Sequence, residues 1–316
     1  MRVLVTQAIM SDALDLLGRH FAVEVWPGPY PMPQEALGTK LQAVDGALLM
    51  LNNTVDDSML ADCPRLRVLS NMAVGFDNID IPAATRHGVL VTNTPDVLTE
   101  ATAELTWALI LMLCRGVVRA RESLLAGHWR FWSPDGFLGH ELTGKVLAVV
   151  GLGRIGQAVA QKAGAFGMHV VGMGGRGGGD WERLDRDAML AVADVVSLHL
   201  PLTDETRGIV DAKWLQAMKS GSYLINTARG ALVDEEALLE ALTSGALEGA
   251  ALDVFQHEPI DGRHPLARHP RVIVTPHVGS ATVESRQQMA LRAAQNLVAA
   301  LEGVRPSDVV NAPPWP

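Results

Sequence analysis

The 316-residue chain has only two cysteines, Cys63 and Cys114. Their spacing matches no zinc or redox motif, so they read as two buried thiols. Positive charge is also scarce: 26 Lys and Arg stand against 35 Asp and Glu, for a formal net charge of −9. This composition excludes the basic face of a nucleic-acid binder and the polybasic segment of a membrane-surface protein. An acidic chain that takes an anionic ligand must use local positive groups, so particular arginines matter more than the total. No apolar run is long enough to span a bilayer, and the stretch Ala108–Cys114 reads as a core or interface helix. Met1–Thr6 reads as a short strand rather than a signal peptide, and the expected location is cytoplasmic. There is no internal repeat, and Gly174-Gly-Arg-Gly-Gly-Gly179 is the one low-complexity segment.

The apolar content of 48% suits a well-packed globular protein, and the length suits two domains. Short apolar runs at 2–6, 22–26, 46–50, 66–70 and 88–92 read as strands of a small parallel α/β domain, and Ser11 reads as the N-cap of a first helix. A long helix is expected from Thr99 to about Gly127, followed by a loop holding Trp129 and Trp132. From Lys145 a second α/β unit opens, with six strands at 146–150, 169–173, 195–200, 223–226, 250–254 and 272–275. A last helix from Val283 to about Glu302 lies beyond the final strand and is expected to return to the first domain. The expected architecture is therefore α/β with two Rossmann-like domains, each a doubly wound parallel sheet, and a cleft and hinge between them. Residues 1–98 with 287–316 would form a substrate-binding domain, and residues 99–286 an NAD(P)-binding domain.

The most informative stretch is Val146–Val150 followed by Gly151-Leu-Gly-Arg-Ile-Gly156. A G-x-G-x-x-G between a buried strand and a helix places a dinucleotide pyrophosphate on the helix N-terminus, where free N–H groups and the helix dipole favour negative charge. Gly151 would make the tight turn, Gly153 would let the backbone approach the phosphates together with Arg154 and Ile155, and Gly156 would let helix and strand pack closely.

In open α/β sheets, ligands bind beyond the carboxyl ends of the strands. Three successive strand ends of the second unit carry Arg229, then Asp253 with Glu258, then His277. These types suit hydride addition to a ketone. A histidine supplies the proton as charge develops on oxygen, a carboxylate orients the ring and favours the imidazolium, and an arginine clamps a carboxylate and polarises the carbonyl.

Several stretches resemble the D-isomer-specific 2-hydroxyacid dehydrogenase family along almost the whole chain: residues 71–80, 91–96, the glycine turn, Asn226-Thr-Ala-Arg-Gly230, residues 252–255 with Glu258-Pro259, and Thr275-Pro-His-Val-Gly-Ser280. The resemblance implies Arg229, Glu258 and His277 as the catalytic set. It implies a substrate carboxylate held by backbone groups of Val74 and Gly75 across the interdomain cleft, with Arg229 and His277 also at the substrate. It implies Asp253 near the nicotinamide amide, and a cofactor lining made by Leu200, Pro201, Thr206, Thr227, Ala228, Arg229, His277 and Gly279. Within the family the chain looks most like glyoxylate and hydroxypyruvate reductases. The cues are Met50-Leu51 at a strand end, with Leu51 at the substrate, the loop tryptophans, and Phe137–Gly144. In that subgroup a tryptophan from the partner subunit resembles a wall of the substrate pocket, and Trp132 is the matching choice.

Two further expectations follow from the residues. The second strand of the cofactor unit ends in Gly174-Gly175-Arg176, with no acid to bind the ribose hydroxyls and an arginine suited to a 2′-phosphate, so NADP(H) is preferred with NAD(H) possible. The helix from Thr99 has apolar residues on more than one face, including Leu105, Ala108, Leu109, Leu111, Met112 and Leu113, which predicts a homodimer through the cofactor domain. The expected substrate is a small 2-keto acid, with neither nucleic acid nor membrane as partner. The alternatives are a non-enzymatic dinucleotide-sensing corepressor-like protein and a dehydrogenase for a bulkier 2-keto acid or phosphite.

Overall fold

The computed structural model describes residues 1–175 and 179–313. Arg176 lies outside the described residues. The chain divides into two compact units, Met1–Leu98 with Ala281–Pro316, and Thr99–Ser280.

Unit 1 is a five-stranded parallel sheet: β1 (Arg2–Val5), β2 (Ala22–Val25), β3 (Gly46–Leu49), β4 (Val68–Asn71) and β5 (Leu90–Thr92), in the order β2-β1-β3-β4-β5. The strand order reverses between β1 and β3, which makes their carboxyl ends a topological switch point. One face of the sheet packs Leu4, Ala47, Leu49, Leu69 and Val91 against Leu37, Leu41 and Leu60. Against strands β3, β4 and β5 lies the helix Val283–Leu301, whose buried side includes Ala290, Ala293, Ala294 and Leu297. Small residues let it come close, and a Cβ on Gly46 would stand 2.9 Å from Leu297 Cδ1. The chain re-enters unit 1 at Ala281 rather than at residue 287, because this helix belongs to the unit as one piece. Its Ser285 hydroxyl donates to the Val97 carbonyl at 2.7 Å.

Unit 2 is a seven-stranded parallel sheet: β6 (Val146–Val150), β7 (His169–Met173), β8 (Glu182–Arg183), β9 (Val195–Leu198), β10 (Ser222–Asn226), β11 (Leu247–Leu252) and β12 (Val272–Val274). The order is β12-β11-β10-β9-β6-β7-β8, with the reversal between β6 and β9. Both faces are covered: Ala148 and Val150 of β6 lie in one apolar cluster, Leu147 and Val149 in another. Burial on both faces explains why these strands read as unbroken apolar runs. The seventh strand, β8, adds to the six expected. It is two exposed residues at the sheet edge, too short and polar to show a strand pattern.

Two local expectations are corrected. The helix that starts at Thr99 ends at Cys114, and a second helix, Val117–Leu125, leaves at a bend of 61°. Gly116 sits between them at φ +61, a left-handed conformation that interrupts an α-helix. The helix at Ser11 begins with Ser11 as its first residue and Met10, at φ −58 and ψ 138, as its N-cap, without a side-chain cap. Among the described residues, no single helix is long and apolar enough to cross a membrane.

Candidate active site

At the switch point of unit 2, the glycine turn is shaped by what its residues lack. Gly151 has φ +101, and a Cβ there would lie 2.6 Å from the His199 carbonyl oxygen at the end of β9. A Cβ on Gly156 would lie 2.1 Å from the Gly151 carbonyl oxygen, so helix and strand meet only through glycine. Gly153 is the opposite case: nothing lies within 4 Å of its Cβ position. It faces open space at the N-cap of the helix Arg154–Ala163, where Arg154 is exposed and Ile155 half-buried. An open, side-chain-free approach to a helix N-terminus suits a pyrophosphate. Beside it, Gly175 has φ +80, and its Cβ would stand 2.7 Å from the Leu152 backbone. No acidic side chain could occupy that position. Arg183 of β8 donates to the Gly174 and Gly175 carbonyls at 3.0 and 3.2 Å. The sequence reading missed this arginine because nothing marked β8 as a strand.

Three further predicted lining residues, Thr206, Thr227 and Ala228, bond to neighbouring protein groups. The Thr206 hydroxyl donates to the Pro201 carbonyl at 2.7 Å, closing the turn that follows Leu200. Thr106 gives its proton to the Thr102 carbonyl, so the Thr227 hydroxyl donates to Thr106 at 2.9 Å. Ala228 N–H donates to Asn226 Oδ1 at 3.0 Å, and Asn226 Nδ2 returns a bond to the Arg229 carbonyl at 2.8 Å. This side-chain turn sets the half-buried Arg229 at the end of β10, with its guanidinium also donating to the Ala228 carbonyl at 2.8 Å. Gly230 follows because any Cβ there would fall 1.8 Å from the Phe255 carbonyl carbon.

The strand-end residues converge. His277 Nδ1 and Glu258 Oε2 are 2.7 Å apart, each about a quarter to a third exposed. The other Glu258 oxygen accepts from the Phe255 N–H at 2.9 Å. Burial pushes the Glu258 carboxyl upward, but the His277 hydrogen bond and charge, the Phe255 N–H and the charge of Arg229 together hold it below the usual carboxylate range. Glu258 is therefore an anion at neutral pH, held against a histidine with an arginine nearby.

His277 itself has φ +53, a left-handed conformation that costs a non-glycine residue energy and needs support. Asp253 supplies it. The fully buried carboxylate accepts from the Thr275 hydroxyl at 2.6 Å and from the Val278 and Gly279 N–H groups at 2.8 Å each. Its backbone carbonyl accepts the His277 N–H at 2.9 Å. Burial raises the Asp253 pKa against these donors. The family resemblance implied Asp253 near a nicotinamide amide; its carboxylate grips the turn that carries His277. A second histidine at a strand end, His199, contrasts with His277. Burial pushes it down to about 4, and its Nε2 lies 2.8 Å from the Ser197 hydroxyl. Near neutral pH it is uncharged and carries no imidazolium proton to give.

In unit 1 the loop after β4 is organised by asparagines. Three successive carbonyls are tied back: Ala73 by the Thr94 N–H at 2.9 Å, Val74 by Asn93 Nδ2 at 2.8 Å, and Gly75 by Asn71 Nδ2 at 2.9 Å. The Val74 and Gly75 N–H groups meet no acceptor among the described residues. Two adjacent N–H groups without a protein acceptor are the kind of donor pair that suits an anion. Leu51, at the turn after β3, is 36% exposed, and Trp132 is 79% exposed.

Comparison with known proteins identifies the family. Residues 107–279 match the family described as D-isomer specific 2-hydroxyacid dehydrogenase, NAD binding domain. The chain belongs to the D-isomer specific 2-hydroxyacid dehydrogenase family. It is an NAD(P)-dependent oxidoreductase and takes a nicotinamide dinucleotide cofactor. A glyoxylate reductase of Aeropyrum pernix is 45% identical over 322 residues, covering 98% of this chain and 96% of the relative. A D-lactate dehydrogenase of Aquifex aeolicus, solved with NAD and lactic acid, superposes with a TM-score of 0.88 at 27% identity, covering 99% of this chain and 100% of that one. An acyclic imino acid reductase solved with NADPH and D-Arg superposes with a TM-score of 0.89 at 27% identity, covering 98% and 100%. Within this family member, the residues missed by sequence reasoning share one trait. Asn93, Asn226 and Arg183 act through bonds to backbone carbonyls, which no spacing rule shows.

Proposed function

We propose that this dehydrogenase reduces small 2-keto acids, glyoxylate and hydroxypyruvate, to D-2-hydroxy acids, with NADPH preferred over NADH. The observation that carries the reading is the 2.7 Å bond between His277 Nδ1 and an anionic Glu258. With Nδ1–H donating to the carboxylate, the proton available for transfer sits on Nε2. The reduced nicotinamide, when bound, supplies the hydride. As the carbonyl carbon gains that hydride, the π electrons move to oxygen, and His277 Nε2 delivers its proton there to give the alcohol. Glu258 stabilises the imidazolium until transfer, and Arg229 polarises the carbonyl. The Val74 and Gly75 N–H groups take the substrate carboxylate, and Leu51 bounds the small substituent. A panel of glyoxylate, hydroxypyruvate, pyruvate and phenylpyruvate with NADPH and NADH tests this. Highest kcat/KM on phenylpyruvate, or no turnover at all, overturns it.

The cofactor preference rests on the absence of an acid at the end of β7, where Gly174 and Gly175 both have positive φ, and on the cation Arg176 that follows. A charge-assisted contact to a 2′-phosphate corresponds to roughly 10- to 150-fold discrimination. Arg176→Ala is expected to lower NADPH use by that factor and leave NADH use unchanged; equal losses with both count against it.

We also read the enzyme as a homodimer. The helix Val117–Leu125 buries none of its residues, and Leu124, Leu125, Trp129, Phe131, Trp132 and Leu138 are each more than half exposed. A second copy would cover this apolar stretch, together with the half-buried Leu105, Leu111 and Met112, and Trp132 would reach the partner's site. Sedimentation showing a fully active monomer overturns this. The two buried free thiols fit a reducing compartment, and we place the enzyme in the cytoplasm.

A further inference from the structure

The N–H pair at Val74–Gly75 is backed by a hydrogen-bond chain that ends in the C-terminal segment. Asn93, whose side chain holds the Val74 carbonyl, is itself clamped at both backbone groups. Its N–H donates to the Asp308 carbonyl at 3.2 Å, and its carbonyl accepts from Asn296 Nδ2 at 3.0 Å. The second Asn296 proton goes to Asp308 Oδ2 at 3.0 Å. Arg292 then grips both Asp308 oxygens, at 2.5 and 2.8 Å. Asn296 and Asp308 are 4% and 8% exposed. A buried polar group left without its partner is costly, so these bonds hold one arrangement rather than several. The segment continues along the sheet edge: Val310 N–H donates to the Val91 carbonyl at 2.9 Å, and Asn311 Oδ1 accepts the Val91 N–H at 2.8 Å. β5 and the Asn93 turn that follows it are therefore fixed from outside the β4 loop.

We propose that Asn296 and Asp308 are positioning residues for the substrate carboxylate, acting through Asn93 on the aim of the Val74–Gly75 N–H pair. This rests on the reading of that pair as the carboxylate site. Neither residue is near the β4 loop in sequence. Their effect follows from the two bonds that fix the Asn93 backbone and so direct its side chain to the Val74 carbonyl. Loosening them leaves the pair present but poorly aimed, which weakens binding of a carboxylate more than binding of a neutral group in its place.

The test compares the wild-type enzyme, Asn296→Ala and Asp308→Asn on glyoxylate and on its neutral methyl ester. NADPH affinity is measured by fluorescence titration, and melting temperature is recorded alongside. For Asn296→Ala we expect glyoxylate KM to rise about 10-fold, with kcat within about threefold and NADPH affinity unchanged. The ester KM should stay put, so the preference for acid over ester falls about 10-fold. Asp308→Asn keeps an acceptor for Asn296 but loses the charge pair with Arg292, and about a threefold rise is expected. It also decides the matter if Asn296→Ala fails to fold. Acid and ester losses that scale together, with a lower melting temperature, mean a merely structural role and overturn the proposal. If the wild type shows no preference for acid over ester, the carboxylate reading itself fails. If it shows one that both variants keep, only the positioning role fails.

Discussion

The two units shape the loops at the carboxyl ends of their parallel strands, where we propose that anions bind, by opposite means. In unit 2 the site is made by subtraction. Side chains are missing at Gly151, Gly153 and Gly156, so a turn with φ +101 closes and a helix N-terminus is laid bare. In unit 1 it is made by addition. The Thr94 N–H holds the Ala73 carbonyl and Asn93 the Val74 carbonyl, which in planar trans peptides turns the Val74 and Gly75 N–H groups to the opposite side, while Asn71 braces the loop at the Gly75 carbonyl. Asn78 bonds Asn71 in both directions, at 3.1 and 3.2 Å, and donates to the Asn53 carbonyl at 3.0 Å. At Gly151 and Gly156 a subtracted site has no room for an added atom, whereas an added site weakens in steps as its supports are removed one by one.

Four variants follow in decreasing order of effect, and the second and third of them separate the two sites. His277→Ala strikes the proposed proton donor and neither loop. Turnover should fall about 10²–10⁴-fold with NADPH affinity nearly intact, measured by steady-state rates and fluorescence titration. Near-wild-type turnover would remove His277 from the mechanism. Gly151→Ala puts a Cβ against the His199 carbonyl in a left-handed backbone. NADPH affinity should fall by at least about 10-fold through backbone displacement, with glyoxylate KM at saturating NADPH unchanged. Asn71→Ala should do the reverse: glyoxylate KM rises about 10-fold while NADPH affinity holds. Loss of both affinities in either variant would break the comparison.

The smallest effect lies along the pH axis. Glu258 is held below the usual carboxylate range, so it is ionised across the working range and favours the protonated imidazole. With Glu258 held low, kcat/KM for reduction should stay level as pH falls into the ordinary carboxylate range and drop only below it, where Glu258 takes up a proton. Glu258→Gln has no carboxyl to titrate, so that acid limb should disappear. An unmoved profile would leave Glu258 as a bracing residue only. In the wild type, the Glu258 contribution to stability is present above its unfolded pKa and is lost as pH falls through its lowered folded value.

Much of unit 2 was legible in the chain. Gly151, Gly153 and Gly156 carry their meaning in their spacing, since strand, turn and helix are contiguous. Arg229, Glu258 and His277 could be found by walking to the strand ends, because in a parallel sheet every strand carries its carboxyl end to the same edge. What sequence missed were two-residue or single-residue features. β8 is too short to show a period, and the bend at Gly116 turns on one φ angle.

The sequence by itself determined the fold class, the cofactor turn and the identities of the residues at the strand ends, because each is written in neighbouring residues. Tertiary structure alone decided that Glu258 and His277 lie 2.7 Å apart, that Asp253 braces the left-handed turn of His277, and that Asn296 and Asp308 stand behind a loop more than 200 residues earlier. Those contacts depend on strand order and on the chain's return to unit 1 at Ala281, and on side chains bonding to backbone carbonyls that every residue offers alike.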